Sequence, residues 1–307
     1  MSGERMPASA EPFGVILIDK HEGVTSYRII QILRKMFNTK KVGHTGTLDP
    51  MATGVLPVLL GRAVKAADFL LAEDKEYEAT MRLGIETDTE DTTGEVLRTS
   101  DGIPDETEVF AAVRSFVGDY DQTPPMYSAL KVGGRKLVDI AREGGVIERE
   151  ARRVRIHGIE CERVSRTDYL LRVACSKGTY IRTLCADIGK ALGCGAAMAS
   201  LRRTRAGAFG IESAYTIEAL EGMSYEERLA LVLPADTLFP DFPTVELPDF
   251  YSKLAHSGTE IYLKKIRQSL PVGTMVKLCH GGKFFAIGRV DEFPDGAAIR
   301  PVKQLLL

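Results

Sequence analysis

Apolar and polar positions along the chain follow two periods, one typical of strands and one typical of helices. An apolar run with β-branched residues at 13–20 predicts a strand, and alternation over 75–87 predicts another. Between them, 25–37 has helical spacing, and Thr25 or Ser26 can cap its first turn. The apolar residues on that helical face are Ile29, Ile30, Leu33 and Phe37.

Further along, strands and helices continue to mix. Two strands are predicted around a turn near Arg166–Asp168, within 152–184. Helices are predicted from about Ala63, over 105–118, at the end of 120–144 after a loop, and over 179–193. The elements show no strict βαβ alternation. The pattern therefore favours an α+β fold with a mixed, largely antiparallel sheet flanked by helices.

The last part of the chain differs in pattern from the rest. Four prolines within 233–249 predict a linker. Beyond it, short strands separated by turns at 280–282 and 294–296 indicate a small β-rich domain. We therefore predict a disordered N-terminus at 1–12, one domain at 13–235 and a small β-barrel-like domain at 243–307.

Composition and charge narrow the classes of function. A length of 307 residues fits roughly two domains, and the net charge of −2 hides basic clusters at 28–41, 149–155, 202–205 and 264–267. If these clusters share one face they can bind a polyanion, and otherwise they are scattered solvated faces. The five cysteines form no CxxC pair. This cysteine pattern, the polar N-terminus and the lack of a membrane-length apolar run predict a cytoplasmic protein with no membrane contact.

The segment "HTGTLDPMATG", His44 to Gly54, is the candidate for chemistry. It lacks the GxxxxGK[ST] and GxGxxG patterns of phosphate-binding loops, and His44 and Asp49 alone are too few to hold a metal. Asp49 before Pro50 fits an ordinary turn. A lone carboxylate in a glycine-rich loop is also suited to nucleophilic work. On the residues alone, the turn and the catalytic loop stay open.

Five segments, in order, carry a family resemblance. "GHTGTLDPMATGVLPVLLGRAVK" closely resembles the central motif of bacterial tRNA pseudouridine-55 synthases, the TruB family. The other segments are "GVILIDKHEGVTS", "KEYEATMRLGIETDTEDTTGEV", "QTPPMYSALKVGGRKLVDIAREG" and "CSKGTYIRTLCADIGKALGCGAAMASLRRTRAGAF". Together they span about 14–210. His21 departs from the family, which usually has proline after the lysine.

The resemblance implies a pseudouridine-synthase fold and the isomerisation of one T-loop uridine of tRNA to pseudouridine, without metal or cofactor. Asp49 matches the catalytic aspartate and Arg182 the arginine that pairs with it. Tyr77 matches the tyrosine that stacks on the target base. Tyr180, Leu201 and His44 match residues that line the pocket or contact the RNA.

The C-terminal tail resembles a PUA domain, a small RNA-binding β-barrel. We expect a monomer that acts on the T-arm of tRNA. Two other functions stay open. One is an RNA-binding or tRNA-folding protein in which catalysis is secondary. The other is a guide-RNA-dependent relative that modifies ribosomal RNA inside a multi-protein complex.

Overall fold

The computed structural model describes residues 12–70 and 73–306. The segment predicted to be disordered lies outside these residues, apart from Pro12. The strands are β1 (Gly14–Lys20), β2 (Val42–His44), β3 (Thr53–Leu60), β4 (Lys75–Leu83), β5 (Ile85–Thr87), β6 (Val96–Thr99), β7 (Gly118–Gln122), β8 (Lys131–Val132), β9 (Arg135–Lys136), β10 (Arg152–Arg163), β11 (Asp168–Cys175), β12 (Ala196–Ala206), β13 (Phe209–Gly210), β14 (Leu233–Pro234), β15 (Thr244–Glu246), β16 (Ile261–Tyr262), β17 (Met275–His280), β18 (Lys283–Phe293) and β19 (Gly296–Gln304).

The α-helices are α1 (Ser26–Met36), α2 (Ala67–Leu70), α3 (Glu106–Ser115), α4 (Leu137–Arg142), α5 (Ile181–Ala191), α6 (Ile217–Glu221), α7 (Tyr225–Ala230) and α8 (Asp249–His256). Short 3-10 helices lie at Gly61–Ala66, Ile211–Ser213, Ala235–Leu238 and Leu263–Lys265. No helix in the described part of the chain is long and apolar enough to cross a membrane.

In the described residues, ten strands form one large sheet. Its order is β14–β1–β3–β12–β4–β11–β10–β7, with β2 beside β3 and β13 beside β12. All pairs are antiparallel except β3 and β12, which run parallel where Thr53–Gly54 meets Arg202–Arg203. The prediction of a mixed, largely antiparallel sheet with helices is confirmed. The single parallel pair brings the start of β3 next to the middle of β12.

Strands β1 and β3 are buried on both faces, which explains their continuous apolar sequence. On one face, Ile16 and Ile18 pack into a core that also takes in Ile29 and Leu33 of α1. On the other face, the core includes side chains of the C-terminal region. Thr25 caps α1, since its side chain accepts a hydrogen bond from the Arg28 N–H. Two cores therefore hold the β1–β3 pair rigidly beneath the loop that precedes β3.

The C-terminal strands form a second sheet, in the order β15–β17–β18–β19–β16. Both predicted turns are confirmed, because 280–282 joins β17 to β18 and 294–296 joins β18 to β19. The predicted linker at 233–249 contains packed structure. Leu233 pairs with Val15 of β1, and the ring of Phe239 is 3% exposed and stacks on Phe242. The division into domains at 13–235 and 243–307 stays a prediction.

Two local predictions differ from the structure. The helix expected from Ala63 begins as a 3-10 helix over Gly61–Ala66 and continues as α2 to Leu70, where this described stretch ends. The chain enters it through Gly61, which has a left-handed conformation (φ 60°). The loop expected before α4 contains β7 and the β8–β9 hairpin. Gly133 and Gly134 both have positive φ there, as a tight two-residue hairpin turn requires.

The basic cluster at 202–205 forms part of a strand, and its arginines differ in exposure. It lies on β12, between β3 and β4 in the middle of the large sheet. Arg202 pairs with Asp19 at 2.8 Å, Arg205 pairs closely with Glu76, and Arg203 is 1% exposed. Because residues 202–205 are all charged or polar, apolar alternation did not predict this central strand.

Candidate active site

The segment between β2 and β3 is an ordered loop that presents Asp49. The Ala52 N–H donates to the Asp49 carbonyl at 3.1 Å, which closes the predicted Asp-Pro turn. The buried Ser26 hydroxyl of α1 donates to the Leu48 carbonyl and accepts from the Leu48 N–H. The Lys20 ammonium at the end of β1 donates to the Pro50 carbonyl at 3.1 Å. The loop is thus both a turn and a fixed support for one carboxylate.

A buried arginine holds that carboxylate. Arg182 is at the start of α5 with 5% of its side chain exposed, so it is not a surface helix residue. Its Nε lies 3.0 Å from Asp49 Oδ2, and its Nη1 lies 3.7 Å from Asp91 Oδ2. Its remaining donors reach the carbonyls of Thr89 and Tyr127 at 2.9 and 2.8 Å. The guanidinium is therefore fixed on several sides, and it fixes Asp49 in turn.

Burial and charge act in opposite directions on the groups around the loop. Desolvation raises the pKa of Asp49, while the charge of Arg182 lowers it. Burial lowers the pKa of Lys20 to about 8, and the charge of Asp49 opposes that shift. The side chain of Asp49 is 36% exposed, so it faces the cleft although its partner is buried. The carboxylate can therefore contact a ligand while Arg182 keeps it oriented.

Asp49 opens into a cleft of about 330 Å³, within the size range of small-molecule sites. Tyr77 of β4, Tyr180 before α5 and Leu201 of β12 line the same cleft, so the structure brings four predicted site residues together with Arg182. His44 does not line it. It lies on β2 opposite Val58, and its Nδ1 accepts from the Gly46 N–H at 3.3 Å. His44 is adjacent in sequence to Thr45, which does line the cleft.

Tyr180 is fixed through its backbone. The side chain of Gln122, at the end of β7 and 1% exposed, accepts from the Tyr180 N–H at 2.8 Å and donates to the Tyr180 carbonyl at 3.1 Å. These two hydrogen bonds hold the residue just before α5, which begins at Ile181. The positions of Tyr180 and Arg182 are therefore set together.

Sequence reasoning missed several of these groups. Asp91 lies in an acidic stretch that looks solvated, yet it is 5% exposed and accepts hydrogen bonds from Thr89 and Thr93. Arg203 lies in a basic cluster and lines the cleft, and Lys20 is fully buried. The only available signal was the placement of Lys20 and Asp91 within segments that resemble the family. Among the described residues, no group of three or more His, Cys, Asp or Glu side chains is placed to hold a metal ion.

Comparison with known proteins gives consistent matches over most of the chain. Residues 34–181 match the model of the "TruB family pseudouridylate synthase (N terminal domain)". Residues 182–240 match the "tRNA pseudouridylate synthase B C-terminal domain". A protein of Aromatoleum aromaticum named "tRNA pseudouridine synthase B" is 43% identical over 280 residues, 91% of this chain and 89% of that protein. One of the same name from Clostridium tetani is 40% identical over 277 residues, 90% and 95% of the two chains.

Solved structures agree with this. One, the "Crystal Structure of a Cbf5-Nop10-Gar1 Complex", has a chain with a TM-score of 0.74 and 29% identity, covering 96% of this chain and 85% of the other. Another, the "Structure of H/ACA RNP bound to a substrate RNA containing 2'-deoxyuridine", gives a TM-score of 0.70 and 26% identity, covering 96% and 86%. Family models, relatives and fold point the same way, and the chain belongs to the TruB family of pseudouridylate synthases.

Proposed function

We propose that this protein isomerises uridine 55 in the T-loop of tRNA to pseudouridine, with Asp49 as the catalytic carboxylate. The observation that carries the proposal is a carboxylate open to a cleft and held by a buried arginine, beside two tyrosines and a leucine. The relatives named tRNA pseudouridine synthase B support tRNA as the substrate.

The target uridine must leave its stack to reach Asp49. Flipping a base costs a few kcal/mol, and stacking on an aromatic side chain returns about 1–3 kcal/mol. Tyr77 is placed to stack on the flipped base, while Tyr180 and Leu201 supply the apolar walls of the cleft. The cleft therefore offers the contacts that an extrahelical pyrimidine needs.

Asp49 acts on the nucleotide as a carboxylate. It attacks the ribose C1′ or the base C6, or it assists formation of a glycal, and Arg182 keeps one of its oxygens oriented in each case. The glycosidic bond at N1 breaks, the base turns, and a bond forms between C5 and C1′. The product has the same atoms as the substrate, so the reaction consumes no second reactant, and we assign no step to a metal or cofactor.

His44 is suited to contact the RNA beside the flipped nucleotide. Burial lowers its pKa, and the charge of Arg203 lowers it further. The imidazole is therefore neutral near pH 7, so it offers a hydrogen bond and a flat face to the RNA without adding charge. This role differs from that of Tyr77, which lines the cleft itself.

We further propose that the C-terminal sheet, β15–β19, is a PUA-like RNA-binding unit within a domain at 243–307. Basic side chains at 264–267 and the exposed aromatic ring of Phe250 lie in this region. The protein then acts as a cytoplasmic monomer, with the catalytic domain on the T-arm and this unit on another part of the tRNA.

The test is the purified chain alone on an RNA hairpin with the sequence of a tRNA T-arm. We expect pseudouridine at the position equivalent to 55, and none in a hairpin with cytidine there. The solved relatives found in multi-protein complexes make a guide-RNA-dependent activity the second candidate. If the hairpin is not modified unless guide RNA or partner proteins are added, that second candidate replaces the proposal. If the hairpin is bound and refolded but never modified, the tRNA-folding function replaces it.

A further inference from the structure

Arg203 is a buried cation with an unusual set of partners. Its side chain is 1% exposed, and no carboxylate of the described residues lies within ion-pair distance of it. Its Nε donates to the Val55 carbonyl at 2.8 Å and its Nη2 donates to the Gly46 carbonyl at 3.2 Å. Burying a charge away from water is costly unless an opposite charge compensates it. The described protein residues give Arg203 neutral acceptors only.

The location of Arg203 is as specific as its partners. In the sheet it lies directly opposite Tyr77 of β4 and beside Gly54 of β3. Gly54 has φ +106°, and a Cβ there would lie 2.2 Å from the Arg203 carbonyl oxygen, so only glycine permits this approach. Arg203 lines the same cleft as Asp49 and Tyr77. It therefore faces the space assigned to the flipped base.

The two arginines of the cleft differ in charge balance. Arg182 has Asp49 and Asp91 beside it, so its charge is matched within the protein. Arg203 has no such carboxylate within ion-pair distance among the described residues. Its charge, beside Tyr77, therefore favours negative charge on whatever occupies that side of the cleft.

The proposed reaction creates negative charge on the base. When the bond between N1 and C1′ breaks, its electron pair stays with N1 and uracil becomes a monoanion whose charge spreads over N1, O2 and O4. Attack at C6 also places the charge on the ring, at C5 and O4. The charge disappears when C5 bonds to C1′, C5 gives up its proton and N1 gains one. A cation already fixed beside the ring stabilises this state without reorganisation.

We propose that Arg203 is a catalytic residue that stabilises the negatively charged uracil ring while it is detached from, or rearranging on, the ribose. This inference rests on the proposed function of the cleft. Within the site, Asp49 is the carboxylate that attacks or assists, Arg182 orients Asp49, and Arg203 stabilises the charge that develops on the base. The alternative is a purely structural role, in which Arg203 only hydrogen-bonds the carbonyls of Gly46 and Val55.

Arg203→Gln removes the charge and keeps hydrogen-bond donors, and Arg203→Lys keeps the charge. We expect Arg203→Gln to lower the single-turnover rate on a uridine hairpin by about 10²- to 10³-fold, the usual effect of losing one preorganised group that stabilises developing charge. We expect Arg203→Lys to lower it by less than about 10-fold. The matched control is Arg202→Gln on the same strand, because Arg202 is 40% exposed and pairs with Asp19. It should change the rate by less than about 3-fold.

A second substrate distinguishes stabilisation of the uracil anion from a structural role of Arg203. Fluorine at C5 withdraws electrons and stabilises a uracil anion by itself, so a hairpin with 5-fluorouridine at the target depends less on Arg203. The rate loss caused by Arg203→Gln, read as disappearance of the original nucleoside, should be at least about 5-fold smaller for this hairpin than for the uridine hairpin. A folding defect lowers both rates by one factor, so the ratio does not depend on the folded fraction. Equal losses on both hairpins, or equal activity of the Gln and Lys variants, overturn the inference.

The wild-type protein provides a test that needs no variant of Arg203. Barbiturate is a ring anion at neutral pH with nearly the shape of uracil. It should inhibit modification of the uridine hairpin at lower concentration than uracil does, and inhibition no stronger than that by uracil counts against the inference. Absence of pseudouridine formation by the wild type is a failure of the proposed function and is seen before any variant is made.

Discussion

The two walls of the cleft use arginine in different ways. On the α5 wall, Arg182 is paired with Asp49 and Asp91 and its other donors reach backbone carbonyls. On the β12 wall, Arg203 is also buried, but its side chain donates only to the carbonyls of Val55 and Gly46 among the described residues. The first wall is balanced and holds a protein carboxylate in place. The second is unbalanced and is suited to charge that arrives with the substrate.

This difference teaches that burial alone does not reveal the role of a charged residue. A buried pair contributes little net stability, because the cost of desolvation offsets the attraction, yet breaking it leaves one charge uncompensated. An arginine in this cleft can therefore either orient a protein carboxylate or stabilise negative charge on the substrate. The carboxylates around it decide which of the two it does.

The largest effect outside Asp49 itself is expected from the balanced wall. Arg182→Met leaves the buried Asp91 and the partly exposed Asp49 without their cation, so the free energy of unfolding should fall by up to about 3–5 kcal/mol and the pKa of Asp49 should rise further. Urea denaturation and the single-turnover rate check this. Asp91→Asn is the matched control, since it leaves the Arg182–Asp49 pair in place and should cost less in both measurements. A variant as stable and active as the wild type would mean that the pair is incidental.

A smaller effect is expected at Tyr77, which lies opposite Arg203 in the sheet. Tyr77→Ala removes the stacking surface beside Arg203, worth about 1–3 kcal/mol, or roughly 5- to 150-fold in rate. The loss should appear in the single-turnover rate far more than in the affinity for tRNA. Filter binding and rapid-quench assays on the same preparation separate the two. Equal losses in rate and affinity contradict a stacking role at the reacting base.

The pH profile sharpens the comparison further, because Lys20 supports the loop of the balanced wall. As pH rises through about 8, Lys20 loses its proton, its hydrogen bond to the Pro50 carbonyl weakens, and the single-turnover rate should fall. As pH falls, protonation of Asp49 should also lower the rate, at a pH above the ordinary range of an aspartate. Lys20→Met should remove the alkaline limb and leave the acid limb. An alkaline limb unchanged in that variant assigns it to another group.

The pKa of Lys20 also makes a claim about stability. Its folded value of about 8 is below its usual 10.5, so the unfolded chain binds more protons between these pH values. The contribution of Lys20 to the free energy of unfolding therefore increases as pH rises from about 8 to 10.5. Comparing the wild type with Lys20→Met across this window by urea denaturation isolates that contribution. A difference that does not depend on pH contradicts the lowered pKa.

The smallest effect is expected for an arginine outside both walls. Arg153 of β10 pairs with Asp121 at 3.4 Å, and both side chains are more than 60% exposed. Arg153→Ala should change the free energy of unfolding by less than about 1 kcal/mol. Urea denaturation gives the value, and a change as large as that of Arg182→Met would remove the distinction between cleft and surface arginines.

The parts of the fold with regular apolar patterns were predictable. The strand at 13–20 and the helix after Thr25 follow from spacing alone, because each buries an apolar face. Strand β12 was not predictable in this way. Its arginines are satisfied by Asp19, Glu76 and backbone carbonyls that come from distant parts of the chain. Such partners exist only once the sheet has formed.

The candidate site shows the same limit. Local chemistry left the segment around Asp49 open between a turn and a catalytic loop, and both descriptions fit its geometry. Arg182 and Tyr77 came from the family resemblance, and the structure places both beside Asp49 or in its cleft. Asp91 and Arg203 lie within segments that resemble the family, but their own acidic and basic clusters look solvated until burial is known.

The most direct test of the account is the single-turnover rate of Asp49→Asn on the T-arm hairpin. Asparagine keeps the size of the side chain and removes its charge, while the hydrogen bonds of the loop to Ser26 and Lys20 do not involve the carboxylate. We predict no detectable pseudouridine while the affinity for tRNA stays within about 3-fold of the wild type, because phosphate contacts elsewhere dominate binding. Pseudouridine formation at the wild-type rate would contradict the central claim that Asp49 is the catalytic carboxylate.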